Sequence, residues 1–443
     1  MSDYLNLLSD LIAKAKAAGA DAADAVLAAG TSLSVSRRLG QTEHVERAEG
    51  RDLGLRVFVG QRAAMVSSSS VDPAGFQALV DRAVAMARVI PEDRYAGLAD
   101  TARPPELDHL DLDDPSEPSA EDLIERASRA EEAAMAVPGI TNSEGADAGF
   151  SRSEVVLVTS AGFAGRRTGT GHSISATALA GSGTGMQRDY DYHSVTHLKD
   201  LDDPTAIGRS AGERAIRRLN PTRPQTAKLP VIFDPRVAGG LIGHLTGAIN
   251  GASVARGTTF LKDKMGERIF APGIFIHDDP RRVRGPRSKV FDGEGTPTKA
   301  RALIEDGILT TWLLDSRSAR QLGLVSTGHA ARGTGGPPSP STTNLYMAPG
   351  KLTPAELMAD IKLGLYITEM MGMGVNGLTG DYSRGAAGFM IRDGVLAEPV
   401  AELTVAGHLT DMFASLTPAS DLVFRRGTDS PTVRIEGMTM AGA

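Results

Sequence analysis

Histidine is the residue type in this chain best suited to bind a metal or to move a proton, and the sequence contains nine histidines but no cysteine. The lack of cysteine excludes thiolate ligands, a thiol nucleophile and disulfide bonds. A protease zinc site needs three protein ligands and an open position for water. Only His193 and His197 form a close pair, and the residues around them are typical of a strand. Because a strand separates them by about 13 Å, too far for one ion, we interpret both as polar surface residues.

Motifs for nucleophilic and phosphate chemistry are missing or incomplete. There is neither a Gly-x-Ser-x-Gly elbow nor a Ser-x-x-Lys pair, so the sequence offers no activated serine. Gly181–Gly185 and Gly333–Gly336 lack the lysine of a P-loop and the spacing of a dinucleotide-binding loop, and we interpret them as turns. A basic segment is interpreted as a solvated loop, with contact to an acidic partner surface as the alternative. Its cations are Arg281, Arg282, Arg284, Arg287 and Lys289.

The segment 379–388 places one carboxylate, one phenol and one guanidinium among small residues. These groups belong to Asp381, Tyr382 and Arg384. Asp381 and Arg384 are close enough in sequence to pair and to fix a tight loop. A plain loop whose glycines adopt positive φ is an equally good interpretation.

The segment 229–251 predicts a buried strand followed by a helix. Asp234 suits the N-cap of that helix and Pro235 its first position. Apolar residues recur at every fourth position, which predicts one buried face: Val237, Leu241, Leu245 and Ile249. Four glycines interrupt the helix at a cost of about 1 kcal/mol each relative to alanine. We therefore predict that another backbone packs closely against them, at Gly239, Gly240, Gly243 and Gly247.

These motifs resemble those of the TldD/PmbA peptidase family, in its PmbA/TldE branch. The resemblance begins with the segment 229–251, which is similar to the central helix of the family. It continues through Arg-Gly-Thr-Thr-Phe-Leu-Lys-Asp-Lys-Met-Gly-Glu at 256–267 and Gly-Pro-Pro-Ser-Pro-Ser-Thr-Thr-Asn-Leu-Tyr at 336–346. It is strongest in Gly-Val-Asn-Gly-Leu-Thr-Gly-Asp-Tyr-Ser-Arg-Gly-Ala-Ala-Gly-Phe-Met-Ile-Arg at 374–392. The similarity covers nearly the whole chain.

In TldD-type members of this family the central helix carries His-Glu-x-x-x-His, which binds a metal. The resemblance places Gly243 and Ala248 at the two histidine positions and His244 at the glutamate. The helix at 236–250 is thus expected to be a degenerate metal helix without catalytic residues. His244 cannot act as a general base without a metal-held water beside it, and we interpret it as a satisfied histidine near a subunit contact.

The resemblance implies a non-metal-binding subunit of a TldD/TldE-type heterodimeric metallopeptidase. Such a pair degrades unfolded polypeptides and processes precursor peptides such as microcin leaders. This chain is then expected to hold no cofactor and to be inactive alone, with zinc in the TldD-type partner. Asp381, Tyr382 and Arg384 would line the internal peptide chamber, and an isolated chain could form a homodimer.

Two other classes of function stay open. The first is a stand-alone homodimeric metallopeptidase that binds its metal through scattered histidine, aspartate and glutamate residues. The second is a non-catalytic binding or modulator protein.

The elements that must position these residues fall into two predicted domains, because 443 residues are too many for one ordinary core. We assign residues 1–220 to an N-terminal α+β domain and residues 221–443 to a β-rich domain with a curved antiparallel sheet. The fold class is therefore α+β. Residues 90–118, rich in proline and aspartate, predict an exposed connection inside the first domain.

Local patterns predict individual helices and strands. Hairpin turns are predicted at Asp306-Gly307 and Asp393-Gly394. The predicted helices are 3–18, 72–89, 119–136, 203–219, 353–367 and 408–416. The predicted strands include 25–29, 32–38, 53–59, 153–160, 172–180, 422–424 and 432–435.

Charge and hydropathy indicate the surroundings of the protein. The net charge of −7 argues against a nucleic-acid partner. The N-terminus lacks the basic region of a signal peptide, and no apolar run has the length of a membrane span. We therefore expect the cytoplasm and no membrane partner.

Overall fold

The computed structural model describes residues 4–100 and 109–442. In these ranges the helices are α1 (Tyr4–Ala17), α2 (Phe76–Val89), α3 (Ala120–Met135), α4 (Pro204–Arg217), α5 (Pro235–Ala248), α6 (Gly251–Ala255), α7 (Ser316–Leu322), α8 (Pro354–Met358) and α9 (Leu409–Ala414). The strands of the first half are β1 (Ala22–Arg38), β2 (Gln41–Val59), β3 (Arg62–Ser68), β4 (Ile140–Thr159), β5 (Ala164–Ala180) and β6 (Gln187–Val195). Those of the second half are β7 (Ala227–Phe233), β8 (Ile276–Asp278), β9 (Arg301–Glu305), β10 (Ile308–Leu309), β11 (Ala330–Ala331), β12 (Ser339–Pro340), β13 (Leu345–Met347), β14 (Leu363–Met371), β15 (Asp381–Arg392), β16 (Val395–His408), β17 (Thr417–Pro418), β18 (Thr428–Asp429) and β19 (Val433–Ala441).

The first half of the chain forms a six-stranded antiparallel sheet in the order β3-β2-β1-β4-β5-β6. The predicted short strands 25–29 and 32–38 are parts of one strand, because Gly30 continues the ladder opposite Gly50 and Ser153. β3 pairs only with residues 53–59 of β2. Within the described part of the chain, residues 41–52 of β2 pair with β1 alone. These residues therefore form a free edge of the sheet, because nearly all the β1 residues opposite them also pair with β4.

Two pairs of helices cover the two ends of one sheet face. α1 and α2 pack on inward residues such as Ala25 and Leu27, whereas α3 and α4 pack near Val35 on the same face of β1. The predicted starts of three helices are confirmed. The carboxylates of Asp72 and Asp203 accept backbone amides at two of them. Ser119 and Asp122 form a capping box at the start of α3.

The predicted exposed connection at 90–118 is wrong for its last third. Residues 101–108 lie outside the described residues, but Leu110 and Asp114 are buried. The carbonyl of Leu112 accepts a hydrogen bond from the amide of Thr170, at 2.9 Å. This segment is thus attached to the sheet by backbone pairing that its proline content conceals.

The second half is organised around a closed barrel of β7, β14, β15, β16 and β19, in which β16 also pairs with β19. The α+β fold class is confirmed, and the one parallel pair of the barrel, β7 with β14, was not predicted. A smaller sheet in the order β10-β9-β8-β13-β18 packs beside it. The hairpin turns at Asp306-Gly307 and Asp393-Gly394 are confirmed, with positive φ at all four residues.

Two local predictions in this half are wrong. The helix predicted at 353–367 ends at Met358, and residues from Leu363 onward form β14, because the barrel needs a strand between β7 and β15. The strand predicted at 422–424 is irregular. Among the helices within the described ranges, none is both long and apolar enough to cross a bilayer.

A buried ion cluster joins the first sheet to the second half of the chain. Asp24 on β1 is 1% exposed, and its carboxylate contacts Arg56 Nε at 3.0 Å and Arg332 Nη1 at 2.7 Å. Glu294 lies 3.9 Å from Arg56 Nη2. Burial alone would raise the pKa of Asp24, but Arg332 and Arg56 outweigh burial and hold that pKa below its ordinary value.

We predict that Asp24→Asn lowers the free energy of unfolding by about 3–5 kcal/mol, because it leaves two buried guanidinium groups without their carboxylate. Because the native pKa of Asp24 is depressed, its contribution is present at neutral pH and is lost as pH falls below about 4. Urea unfolding at several pH values measures both effects. The exposed Asp52→Asn on β2 is the control, with an expected change within about 0.5 kcal/mol. Equal losses for the two variants would contradict the prediction.

Candidate functional site

The helix α5 begins and packs as its sequence predicts. Asp234 caps it by accepting the amide of Arg236 at 2.9 Å, and Pro235 occupies the first turn. Leu241, Leu245 and the following Ile249 are buried in the main core. The hydroxyl of Tyr366 donates to Asp234 Oδ2 at 3.0 Å, which fixes the cap to strand β14.

The start of α5 is also attached to the first sheet. Arg236 Nη1 lies 2.7 Å from Asp189 Oδ1 on β6, and the side chain of Asp189 is 2% exposed. Burial lowers the pKa of Arg236, but the hydrogen bond and charge of Asp189 outweigh it and raise that pKa. The helix therefore has a fixed position relative to both halves of the chain.

The opposite face of α5 is open. Gly240, Gly243 and Gly247 are exposed, and a methyl group added at any of them would meet no described atom within 4 Å. The predicted close packing is confirmed only at Gly239, which would meet the carbonyl oxygen of Thr428 at 3.2 Å. For the other three glycines the prediction is wrong. Nothing in the described residues accounts for the helix-forming propensity lost at these positions.

The two histidine positions of the metal motif do not share this open face. Gly243 is exposed, whereas Ala248 is 4% exposed and packs in the core. Five residues turn a helix through about 500°, which leaves the two positions about 140° apart. Among the described residues no group of three or more histidine, aspartate or glutamate side chains is arranged to hold a metal ion. The residues here do not fit a catalytic zinc.

Three of the residues singled out from the sequence meet beside this face. The rings of His244 and Tyr382 lie edge to face, with centroids 5.7 Å apart. Tyr382 and Arg384 are two residues apart on β15, so their side chains share one strand face. Burial raises the pKa of Tyr382 to about 12, and the positive charge and hydrogen bonding of Arg384 limit the rise.

His244 has an unused polar atom in this cluster. Its Nε2 is buried and makes no hydrogen bond with the described residues, so the expectation of a satisfied histidine is wrong for this nitrogen. Burial lowers the pKa of His244, and the positive charge of Arg384 lowers it further. The imidazole is therefore neutral at pH 7, and Nε2 is a buried nitrogen without a partner among the described residues.

Asp381 does not join the cluster. The predicted pairing of Asp381 with Arg384 is wrong, because residues three apart in a strand point to opposite faces. Thr379 Oγ1 donates to Asp381 Oδ2 at 2.6 Å, and Arg384 Nε donates to the carbonyl of Gly372 at 3.0 Å. The predicted tight loop is a strand from Asp381 onward.

Two further interpretations of polar residues are corrected. His193 and His197 are buried rather than at the surface, and lie 3.2 Å from Asp202 and Asp111. In the basic segment, the structure pairs Arg284 with the carboxylates of Asp111 and Asp200. That cation therefore attaches the end of the connection instead of forming a solvated loop.

Sequence reasoning missed a buried Thr–His–Asp series. His329 Nδ1 lies 2.8 Å from Thr327 Oγ1, and its Nε2 lies 3.2 Å from Asp278 Oδ2. The threonine oxygen already accepts the amide of Leu314 at 2.7 Å. All three side chains are buried, so the series stabilises the small sheet and offers no nucleophile to a substrate. No short motif signals it, because Asp278 is far away in sequence.

Comparison with known families matches most of the chain. Residues 226–442 match the model of the PmbA/TldA metallopeptidase C-terminal domain. Residues 113–219 match the central domain of the same family and residues 23–87 its domain 1. The chain belongs to the PmbA/TldA metallopeptidase family.

Relatives within the PmbA/TldA family cover nearly the full length. The metalloprotease PmbA of Escherichia coli O157:H7 is 39% identical over 425 residues, which cover 95% of this chain and 92% of the relative. A Haemophilus influenzae homologue of PmbA is 34% identical and covers 96% of this chain and 93% of its own. At the level of the family, this is a metallopeptidase chain.

Solved structures share the architecture. A putative modulator of DNA gyrase from Bacteroides thetaiotaomicron superposes with a TM-score of 0.91 at 26% identity, and the match covers 100% of both chains. TldE from Thermococcus kodakarensis has a TM-score of 0.87 at 21% identity, covers 98% of this chain and 100% of its own, and supports the fold alone.

We predict that His244 titrates below its ordinary pKa and that Arg384→Gln raises its titration midpoint, because the variant removes a nearby positive charge. Nuclear magnetic resonance of the imidazole signals against pH measures the midpoint. Arg392→Gln is the control on the same strand, since Arg392 is paired with Glu398 at the surface. An unchanged titration midpoint of His244 in Arg384→Gln would contradict the prediction, because it would show that the charge of Arg384 does not act on His244.

Proposed function

We propose that this chain is the non-metal-binding subunit of a heterodimeric TldD/TldE-type metallopeptidase in the cytoplasm, which degrades unfolded polypeptides and processes precursor peptides. The observation that carries the proposal is the open glycine face of α5. In TldD-type members the corresponding helix holds a metal through two histidines, and this chain has glycine and alanine at their positions. The described residues offer no alternative ligand set. Zinc and the water it activates would belong to the partner subunit.

The role left to this chain is to hold the substrate. The glycine face lets another backbone approach α5 without steric hindrance, and the adjacent cluster supplies hydrogen-bonding groups that suit peptide carbonyl groups. The guanidinium of Arg384 is the group we assign to this contact, with Tyr382 forming an apolar wall. Such contacts to the main chain bind extended peptides with little dependence on sequence.

The subunit proposal predicts a clear result in reconstitution. A mixture of this chain with a His-Glu-x-x-x-His partner should cleave an unstructured peptide, whereas this chain alone should not. Peptide fragments resolved by mass spectrometry provide the measurement. Chelator treatment of the mixture should abolish cleavage, because the metal belongs to the partner.

The two other classes of function give different outcomes in the same experiment. Chelator-sensitive cleavage by this chain alone, with stoichiometric metal, would support a stand-alone homodimeric enzyme and would overturn our proposal. No cleavage by the mixture would favour a non-catalytic modulator. The name of the Bacteroides structure favours testing that class with the gyrase reaction.

A substitution on the open face tests whether that face receives the substrate. Gly243→Ala should raise the free energy of unfolding by about 0.5–1 kcal/mol, because the added methyl group meets no described atom and favours the helix. Gly243→Trp should fold but reduce cleavage by the mixture at least about tenfold, since the indole would fill the path of the substrate. Gly75→Trp, also in open space but in the first half, is the control for a bulky substitution. Full cleavage by a correctly assembled pair that contains Gly243→Trp would show that the substrate does not bind on this face.

A further inference from the structure

A cavity of about 500 Å³ lies between the two halves of the chain, and the proposed function does not use it. We call it the interdomain cavity. Its first wall comes from β2, β3 and the segment after α2, with Phe58, Met65 and Ile90. The opposite wall includes Pro337, Pro338 and neighbouring residues of the Gly-Pro-Pro-Ser-Pro motif, together with residues of α6 and α7. Its lining is mainly apolar and its volume is typical of a small-ligand site.

Two buried charged groups face this cavity with unused hydrogen-bonding atoms. Arg56 is 7% exposed and uses Nε and Nη2 on Asp24, which leaves Nη1 without a hydrogen bond to any described residue. Glu294 is 3% exposed and accepts the amide of Ser316 with Oε2 at 2.8 Å. Its Oε1 lies 3.9 Å from Arg56 Nη2, beyond hydrogen-bonding distance. The cavity thus presents one free donor and one free acceptor next to each other.

This pair selects the chemistry of a ligand. An amide supplies an acceptor and a donor a few ångströms apart, which matches Arg56 Nη1 and Glu294 Oε1. A carboxylate is less suitable, because it has no donor for Glu294 Oε1 and would face that charge directly. The other charges of the lining balance in number, with Asp93 and Asp315 against Arg256 and Arg317. Burial raises the pKa of Glu294, which is the behaviour of a carboxylate with too few partners, and an amide N–H would supply one.

We propose that the interdomain cavity binds a short, neutral, apolar peptide segment through one of its amide groups, as a site separate from the open face of α5. The choice of a peptide over other apolar amides rests on the proposed function. The amide carbonyl accepts from Arg56, its N–H donates to Glu294, and the flanking side chains contact the aromatic, aliphatic and proline walls. Because both halves of the chain line the cavity, the bound segment holds them together.

The probe for this site is N-acetyl-leucyl-leucine N-methylamide, titrated into the full chain by calorimetry. We expect saturable binding that Ala63→Trp weakens at least about tenfold, because Ala63 lines the cavity and the indole would fill it. Ser67→Trp, on the same face of β3 but outside the lining, should bind within about twofold of the unchanged chain. Thermal unfolding verifies that both variants fold.

Two further measurements test the assigned chemistry. The free acid N-acetyl-leucyl-leucine should bind about fivefold more weakly than the capped form, because its carboxylate cannot donate to Glu294 and is repelled by it. Glu294→Gln should weaken binding of the capped probe about tenfold. The glutamine amide either presents its NH2 group to the cavity in place of the acceptor, or turns that NH2 group towards the amide of Ser316 and loses this hydrogen bond. Tighter binding of the acid, equal binding by Ala63→Trp, or no saturable binding would overturn the inference.

Reconstituted cleavage separates this inference from the proposed function. If the mixture cleaves its substrate but the capped dipeptide shows no saturable binding, the cavity site is contradicted and the subunit role stands. No cleavage by the mixture would remove the subunit role, while the dipeptide titration would still decide whether the cavity binds an apolar amide.

Discussion

The packing of the two halves depends on charges that have lost their water. Asp24, Arg56, Arg332 and Glu294 are almost completely buried where the first sheet meets the second half. Desolvation of each ion costs several kcal/mol, and only closely placed opposite charges offset that cost. A small shift of one half against the other would leave a bare charge in a low dielectric. The cluster therefore permits one relative position, and the interdomain cavity takes its shape and its polar atoms from that position.

A second attachment, between Arg236 and Asp189, gives α5 the same fixed position relative to the first sheet. It matters because the open side of α5 has no stabilising contacts of its own within the described residues. A helix with three exposed glycines would fray in isolation. Its N-cap at Asp234, its apolar face and the ion pair on its first turn together keep the open face straight. The glycines can then serve contact with another molecule, and the surrounding structure supplies the stability they lack.

Much of the fold follows from local sequence signals that the structure confirms. The caps at Asp72, Ser119 and Asp234 and the Asp-Gly turns depend on nearby backbone geometry alone, so a single sequence is sufficient to find them. The helix predicted beyond Met358 failed because closure of the barrel required a strand there, and long-range pairing overrides local propensity. The burial of His193 and His197 was missed for a related reason, since their aspartate partners come from other segments.

The site was predictable in its residue types and less so in its geometry. The cluster beside α5 consists of His244, Tyr382 and Arg384, residues that the sequence already singles out. Strand alternation explains why Asp381 points away from them, whereas the glycines around it are equally typical of a loop, in which no such alternation holds. The interdomain cavity has no sequence signal at all, because its walls come from distant segments of the chain, whose nearest lining residues are Gly97 and Ala252. Such a site exists only once the two halves pack.

The free edge of β2 has a consequence for the behaviour of the protein at high concentration. Along residues 41–52 one side of β2 carries main-chain groups that no described strand pairs. A bare strand edge of that length is a template for adding copies of itself. Here it carries acids and bases, including Glu43, Glu46, Arg47, Glu49 and Arg51. Dense charge of both signs makes desolvation of the edge costly, so the exposed edge resists growth into fibrils.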